Sequence, residues 1–374
     1  MDTLSKLKLL SDASQYDLAC ACGTRGGPDH RVRGDDGSWL YPVSMPGGGY
    51  SIMLKTLISN VCNNDCGYCP FRAARDVPRC TITPDEMANL FMDYLRKRRL
   101  IGIFLSSGVV GTPDRTMELI NGTAEILRRK HSYRGYIHLK VIPGASDAAI
   151  DHAVSLANAV SVNIEVPGEK HFTELSQKKD FLKDIIHPMR RIAELTGKGM
   201  KHHRVRQTTQ FIVGAANEND AEIVKYTLGL YRKLNLNRVY FSAYQRGLGN
   251  ESIPGEQRES INSSDGFVRE HRLYQADFLF RQYGFAEEDI QFDENGRLFT
   301  DRDPKLVWAE RHPERFPIDV NKADLTTLLK IPGIGPTTAK RIIKIRKNGG
   351  RISSSENLPL KGKRLALAQK FLIF

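Results

Sequence analysis

No stretch of the 374 residues is apolar for long enough to cross a bilayer, and the first ten alternate apolar and polar side chains instead of building a secretion signal. The expectation is a cytoplasmic protein without a membrane partner. Cysteine is scarce and confined: six occur, at 20, 22, 62, 66, 69 and 80, and none follows. A large chain without a secretion signal does not use so few, so clustered, as a disulfide framework, which leaves metal or redox chemistry. No repeat of the solenoid kind is present. Acid is scarce at the C-terminal end, where only Asp324 and Glu356 face twelve Lys and Arg from Asn321 onward, so the last 54 residues hold +10 of the chain's +12. A merely solubilising tail would lack the apolar periodicity found there. A compact basic module is the electrostatic footprint of a nucleic-acid binder.

With 40% hydrophobic and 26% charged residues the chain has room for about two domains and a core that needs no staples. Residues 1–50 are rich in Gly, Asp and Pro and read as an irregular lead-in with one short helical pattern. Strand patterns follow at Ile52–Ile58, Ile101–Leu105, Tyr136–Ile142, Val160–Glu165, Thr208–Val213 and Val239–Ser242, with helical patterns near 84–99, 114–131, 146–157, 180–196 and 219–234. This alternation predicts an α/β fold with a parallel sheet over 51–284, as an open sheet or a partial barrel. A Gly/Asn/Ser-rich loop at 247–266 and a long helix over Phe267–Tyr283 close that region. An acidic connector spans 285–318, and a small all-α module fills 319–374.

Cys62, Cys66 and Cys69 are separated by three and two intervening residues in the loop after the first strand, with Tyr68 directly before the last. Electron-carrying clusters normally take four cysteines, so three leave one iron open, as catalytic metal sites do. A zinc site completed by Cys80 or a histidine is the alternative, but the second close pair of structural zinc sites is missing after Cys80. The spacing resembles the radical S-adenosylmethionine (SAM) signature. That resemblance implies a partial (β/α)6 barrel and a 4Fe–4S cluster whose open iron chelates SAM. It also implies reductive cleavage to a 5′-deoxyadenosyl radical and a small electron donor such as flavodoxin or ferredoxin. It places Ser106-Ser107-Gly108 where Gly-Gly-Glu often meets the SAM amino group. Asn163 and Glu165 fall where the ribose is held, with alternation putting both on one strand face. Gln210 to Gly214, Ser242, Tyr244 and Tyr68 fall beside adenine.

In the basic module Asn321 is expected to cap a helix over Lys322–Lys330, with Asp324 at its third position. Ile331-Pro332-Gly333-Ile334-Gly335-Pro336 then makes a glycine turn into a second helix. Ala339, Ile342 and Ile343 form that helix's inner face, while Lys340, Lys344 and Lys347 line another. A fresh helix N-terminus after a glycine turn is an anion site. The segment resembles the helix-hairpin-helix motif, which grips a phosphate backbone through Gly333, Ile334, Gly335, Thr337, Lys340 and Lys344. The stretch 349–374 could form a degenerate second hairpin.

Taken whole, the chain resembles the DNA modification/repair radical SAM protein family. The match includes Tyr16-Asp17, Leu105 to Val110, Tyr136 to Lys140, Ile142 to Ala145, Ser161 to Glu165 and Arg272 to Asp277. The implied function is modification or repair of DNA. The alternatives are a radical SAM enzyme acting on RNA, including transfer RNA, and a non-enzymatic DNA-binding redox sensor. His138 and Lys140 share a strand face expected to point into the barrel, with Lys140 a candidate catalytic or substrate contact. Cys80 is a candidate hydrogen donor, and Cys20 with Cys22 could hold a second metal. Lys178 and Lys179, after the fourth strand, are candidates for a nucleic-acid backbone.

Overall fold

The computed structural model describes residues 1–374 apart from 15–31, 34–38, 45–48, 99 and 259–262, so Cys20, Cys22 and Tyr16-Asp17 lie outside the described residues. The described chain forms two compact units, 1–218 with 229–267, and 219–228 with 268–374. In order, the first part runs α1 (Thr3–Ala13), β1 (Val32–Arg33), β2 (Trp39–Ser44), β3 (Tyr50–Leu57), α2 (Pro84–Lys97), β4 (Leu100–Ser106), α3 (Pro113–Arg129), β5 (Tyr136–Lys140), α4 (Asp147–Leu156) and β6 (Ala159–Ser161). Then come α5 (Glu169–Thr173), a π-helical turn (Phe181–Ile186), α6 (His187–Thr196), β7 (Arg206–Val213), α7 (Asp220–Leu234), β8 (Arg238–Ala243), α8 (Pro254–Gln257) and α9 (Ser263–Tyr283). The remainder is α10 (Pro304–Arg311), β9 (Ile318–Asp319), α11 (Leu325–Lys330), α12 (Pro336–Lys347), α13 (Gly362–Ala368) and β10 (Leu372–Ile373).

β1 to β8 form one open sheet in sequence order, curled into a half-barrel. β1, β2 and β3 pair antiparallel, and β3 to β8 are parallel throughout. The six expected strands are therefore present as a partial barrel. The lead-in is more ordered than its composition suggests, because its described residues add α1 and two strands to the sheet edge. The alternation of each strand sorts the side chains. Leu54, Ile103, Leu105, Ile137, Leu139, Val160, Phe211 and Phe241 are fully buried or nearly so on one face. The opposite face is polar, for register sets Lys55 beside Phe104, Phe104 beside His138, Lys140 beside Ser161 and Ser161 beside Thr208. Parallel strands buried on both faces are usually apolar throughout, so the polar second face sets this sheet apart.

The crossover helices start where the sequence provides caps. Thr83 makes a capping box with Glu86, and Thr112 and Ser146 accept from Arg115 N and Ala149 N, with Pro84 and Pro113 as first helical residues. The 180–196 pattern opens as a π-turn because Pro188 has no N–H for the Asp184 carbonyl; Gly144 N takes that oxygen instead, at 3.1 Å.

β6 is shorter than the Val160–Glu165 pattern predicts, and Asn163 and Glu165 do not lie on a regular strand. The chain leaves the ladder after Ser161, where the Thr209 hydroxyl substitutes for it by donating to Val162 O (2.7 Å) and accepting from Ile164 N (2.9 Å). Glu165 rejoins β7 at Phe211 for a single residue with φ of 65°. Val162 and Ile164 are fully buried along with Asn163 and Glu165, so alternation does not sort this segment.

The second unit packs Val320, Leu328, Ile331, Ile334, Ala339, Ile342, Ile352, Leu358 and Ala368 into a small core of its own. β9 and β10 pair in parallel within it. α11 starts three residues later than Asn321 would set it. Asp324 is its cap, accepting from Thr327 N at 2.7 Å, because the Asn321 amide is spent on both backbone groups of Ile352. The region expected as a plain connector holds α10, whose Trp308 is buried with its indole N–H on Asp289 (2.8 Å).

Candidate functional site

The cysteine loop leaves the C-terminal end of β3, the end at which βα folds place their chemistry. It runs beside the loop after β4: Gly108 N donates to Ser59 O (2.7 Å), Asn63 N to Val109 O (3.0 Å) and the Asn63 side chain to Gly111 O (2.9 Å). Gly108 is required for that approach, since a Cβ there would collide with Val61 O and stand 3.1 Å from Cys62 Cβ. Ser106 is buried, and the Ser107 hydroxyl reaches Ser59 O at 3.4 Å. The return of the loop is pinned by Arg79, whose guanidinium donates to the carbonyls of Asn60, Phe71, Arg72 and Arg75 at 2.7–3.1 Å. From the other side Asp65 accepts from the Ser176 hydroxyl (2.6 Å) and from Gln177 N and Lys178 N. Burial works against that carboxylate, but these bonds outweigh it and hold it below the usual carboxylate range.

Cys66 is buried, and Cys62 and Cys69 are half-buried. Burial pushes the Cys66 thiol up against the pull of Lys179, and burial with the neighbouring Cys66 drives Cys69 up to about 12. Burial opposes the Lys179 charge, yet Cys66 and Glu165 carry it above the ordinary lysine value. Lys179 therefore faces the cysteine loop. So does Lys178, whose ammonium donates to Asn63 O at 2.9 Å. Both ammonium groups are thus engaged at this loop. Burial and the Glu165 carboxylate, which accepts from the Tyr68 hydroxyl, raise Tyr68 well above an ordinary phenol. Among the described residues no three His, Cys, Asp or Glu converge on a single ion. Cys62 adds to the rise at Cys66, and Cys66 and Cys62 both add to the rise at Cys69, so the three side chains share one region of the loop.

The other expected contacts are gathered on the same unit. Gln210 is buried, and Gly214 takes a φ of 93° with its N–H on Glu218. Ser242 ends β8. Tyr244 is committed elsewhere, donating its hydroxyl to Glu256, whose carboxylate also accepts from Gly247 N and Gly249 N at 2.8 and 3.0 Å. Glu256 thus organises the loop that Arg72 ties to the cysteine segment through Leu248 O and Gly249 O. Sequence pattern gives no hint of this role, or of those of Arg79 and Lys179. His138 Nε2 lies 3.0 Å from Ser161 Oγ and its ring stands edge-on to Phe104, over which Lys55 Nζ sits at 4.8 Å. The Cys80 thiol donates to Lys6 O in α1 (3.8 Å).

In the second unit Gly333 has φ of 84°, and a Cβ there would stand 2.5 Å from Arg364 O, so the turn needs glycine twice over. Pro336 opens α12 behind Gly335, and Thr337, Lys340 and Lys344 are exposed. Sequence reasoning missed Lys305. Its buried amine donates to Leu329 O (2.9 Å) and Ile334 O (2.5 Å), holding the turn's carbonyls, and lies 4.6 Å above the Tyr283 ring.

Burial draws Lys305 down to about 7. The folded value lies below the unfolded one, so between about 7 and 10.4 the unfolded chain binds more protons and stability rises with pH. Below that window the full cost of burying the charge applies. Thermal melts of wild type should therefore gain stability from pH 7 to 9, and Lys305→Met should lose that gain. Leaving two carbonyls without a donor should also cost the variant about 1–3 kcal/mol at pH 9. An equal pH slope in both proteins would count against the assignment.

Residues 56–227 match the radical SAM superfamily and residues 315–365 the helix-hairpin-helix motif. The chain carries a radical SAM domain. Radical SAM proteins use a 4Fe–4S cluster and SAM, and those are its cofactors. Solved structures similar to it include methylornithine synthase (PylB), at 16% identity and TM-score 0.45 over 60% of this chain and 62% of that one. The FeFe-hydrogenase maturase HydG from Carboxydothermus hydrogenoformans is similar at 16% identity and TM-score 0.44, over 61% of this chain and 50% of that one. The radical SAM methyltransferase TsrM from Kitasatospora setae is similar at 14% identity and TM-score 0.38, over 51% and 35%. The chain thus spans less than two thirds of each, and likeness at this level says nothing of substrate. No curated protein matches the chain. No helix among the described residues is long and apolar enough to cross a membrane.

Proposed function

We propose that the radical SAM domain modifies or repairs a nucleic acid, DNA before RNA, which the helix-hairpin-helix module docks by its backbone. One observation carries the reading: the chain that bears a three-cysteine loop at the head of a parallel sheet ends in a phosphate-gripping turn with nearly all of its excess charge. Cys62, Cys66 and Cys69 would hold the cluster, leaving one iron for SAM. Tyr68, Ser106, Ser107, Gly108, Asn163, Glu165, Gln210, Gly214 and Ser242 would surround the nucleoside. When bound, the pair supplies a 5′-deoxyadenosyl radical that abstracts hydrogen from substrate.

The chain's own groups prepare the site. Lys179 sets a positive charge beside Cys66 and offsets the build-up of thiolate charge there. Glu165 fixes the Tyr68 hydroxyl and so anchors that ring in the cysteine loop. Lys55, Phe104, His138 and Lys140, on the polar face of the sheet, would meet the target base; one inside a duplex would first have to be extruded. A small redox protein would deliver the electron.

Asn163→Ala and Glu165→Ala should each weaken SAM binding by about 1–3 kcal/mol, read by anaerobic titration, with iron content unchanged. Unchanged affinity in both would remove the ribose assignment. The function itself is tested by anaerobic incubation with SAM, a reductant and either DNA or RNA, read by mass spectrometry. DNA-stimulated 5′-deoxyadenosine with a new nucleoside supports the proposal, and stimulation by RNA alone moves it to RNA. SAM cleavage that neither stimulates overturns it.

A further inference from the structure

The hairpin turn at Gly333–Gly335 lies at the N-terminal end of α12. At the helix's other end is a groove of about 600 Å³, walled by Lys322, Arg346, Lys347 and Arg351 with Asp319, Asn321 and the apolar edge of Ile343. Seven residues of helix, Pro336 to Ile342, lie between the turn and the first groove residue, Ile343, or about 10 Å at ~1.5 Å per residue. Lys340, Lys344 and Lys347 are exposed and recur at helical spacing, so they form a line from the turn to the groove. Lys347 belongs to both.

The groove's charges differ in what they are free to do. The Arg346 guanidinium is spent on the carbonyls of Ala323, Lys322 (3.2 Å) and Val320 (3.5 Å) and supplies a fixed positive field. Asp319 is already answered by Asn321 N at 2.8 Å and by the Lys322 ammonium at 3.2 Å. Lys322, Lys347 and Arg351 are exposed at the rim. Four cations against one carboxylate leave +3 around one cleft. Lys347 lies in the last turn of α12, where the helix C-terminus favours a cation, and among the described residues neither Lys347 nor Arg351 is tied down by an ion pair, so both can turn to a phosphate.

We propose that this groove is a second nucleic-acid backbone site, distinct from the hairpin turn, and that one strand runs along α12 from turn to groove. Phosphodiester is the ligand class: the cations are spaced along a line, and the cleft offers no ring-stacking wall. The inference rests on the reading of the module as a nucleic-acid binder.

The test is lysine acetylation footprinting of the full-length protein with a 20-base-pair DNA duplex, alongside salt titrations of binding. Lys322 and Lys347 should be protected several-fold together with Lys340 and Lys344, while exposed Lys201 on the other unit acetylates at its free rate. Lys322→Gln/Lys347→Gln/Arg351→Gln should lower the slope of log K against log salt by about two to three. Lys347→Arg, which keeps the charge, should leave the slope in place. Protection of Lys340 and Lys344 without Lys322 and Lys347, or an unchanged slope in the triple variant, overturns the groove alone. If no lysine of the module is protected and wild type does not bind, the nucleic-acid reading itself has failed.

Discussion

Replacing Cys62, Cys66 and Cys69 together by alanine should take anaerobically reconstituted protein from about four irons per chain to none and abolish SAM cleavage, while the fold persists. Persistence is expected because the loop is not held by its thiols. Arg79 bonds four carbonyls, Asn60 bonds Pro78 O and Cys80 N, and Asp65 collects three donors from 176–178, all independent of sulfur. Cys80→Ala is the control: its thiol bonds Lys6 O, so the variant should keep full iron. Loading of wild type should weaken as pH falls, since Cys66 and Cys69 sit above the ordinary thiol value and iron must displace their protons. Iron, absorption spectra and 5′-deoxyadenosine yield decide the matter. A triple variant that keeps a SAM-responsive cluster signal would sink the assignment.

What the sequence displays of this site, and what it hides, follows from the range of the forces involved. Strand and helix positions are legible because they rest on local periodicity: Ile103, Leu105, Ile137 and Leu139 alternate, and Thr83, Thr112 and Ser146 cap. The three cysteines stand out in sequence because they fall within eight residues of one loop. β6 breaks the pattern because Thr209, 47 residues from Val162, takes over its bonds, and no window of alternation contains both partners. Asp324 displaces Asn321 as a helix cap for the same reason: Ile352 claims the asparagine from 31 residues away. Lys179 and Lys305 look like surface lysines in sequence. Burial against Cys66 and Glu165, or against two turn carbonyls, gives them their character, and both environments are assembled only in three dimensions.

Charge reversal at the hairpin, Lys340→Glu with Lys344→Glu, should weaken binding of a DNA duplex about ten- to a hundredfold at low salt and lower the salt slope by about two. Both lysines are exposed on α12 beyond its first turn, so neither packing nor the Gly333–Gly335 backbone should change. Iron content and any SAM cleavage without nucleic acid should match wild type, because Cys62, Cys66 and Cys69 belong to the other unit. Binding should fall evenly across sequences, since a backbone grip reads no bases. Removing the module at Asp319 is a poorer test. It would strip β10 from β9 and take away the Leu329 and Ile334 carbonyls that hold Lys305, so lost binding could reflect lost folding. Gly333→Ala supplies the complementary arm: its Cβ would press on Arg364 O at a φ of 84°, distorting the turn at constant net charge. Weaker binding with a preserved slope in Gly333→Ala, against a reduced slope in the double lysine variant, would separate turn geometry from charge. If the double variant binds duplex as tightly as wild type with the same slope, the hairpin is not the docking element, and its exposed lysines belong to a surface for a protein partner.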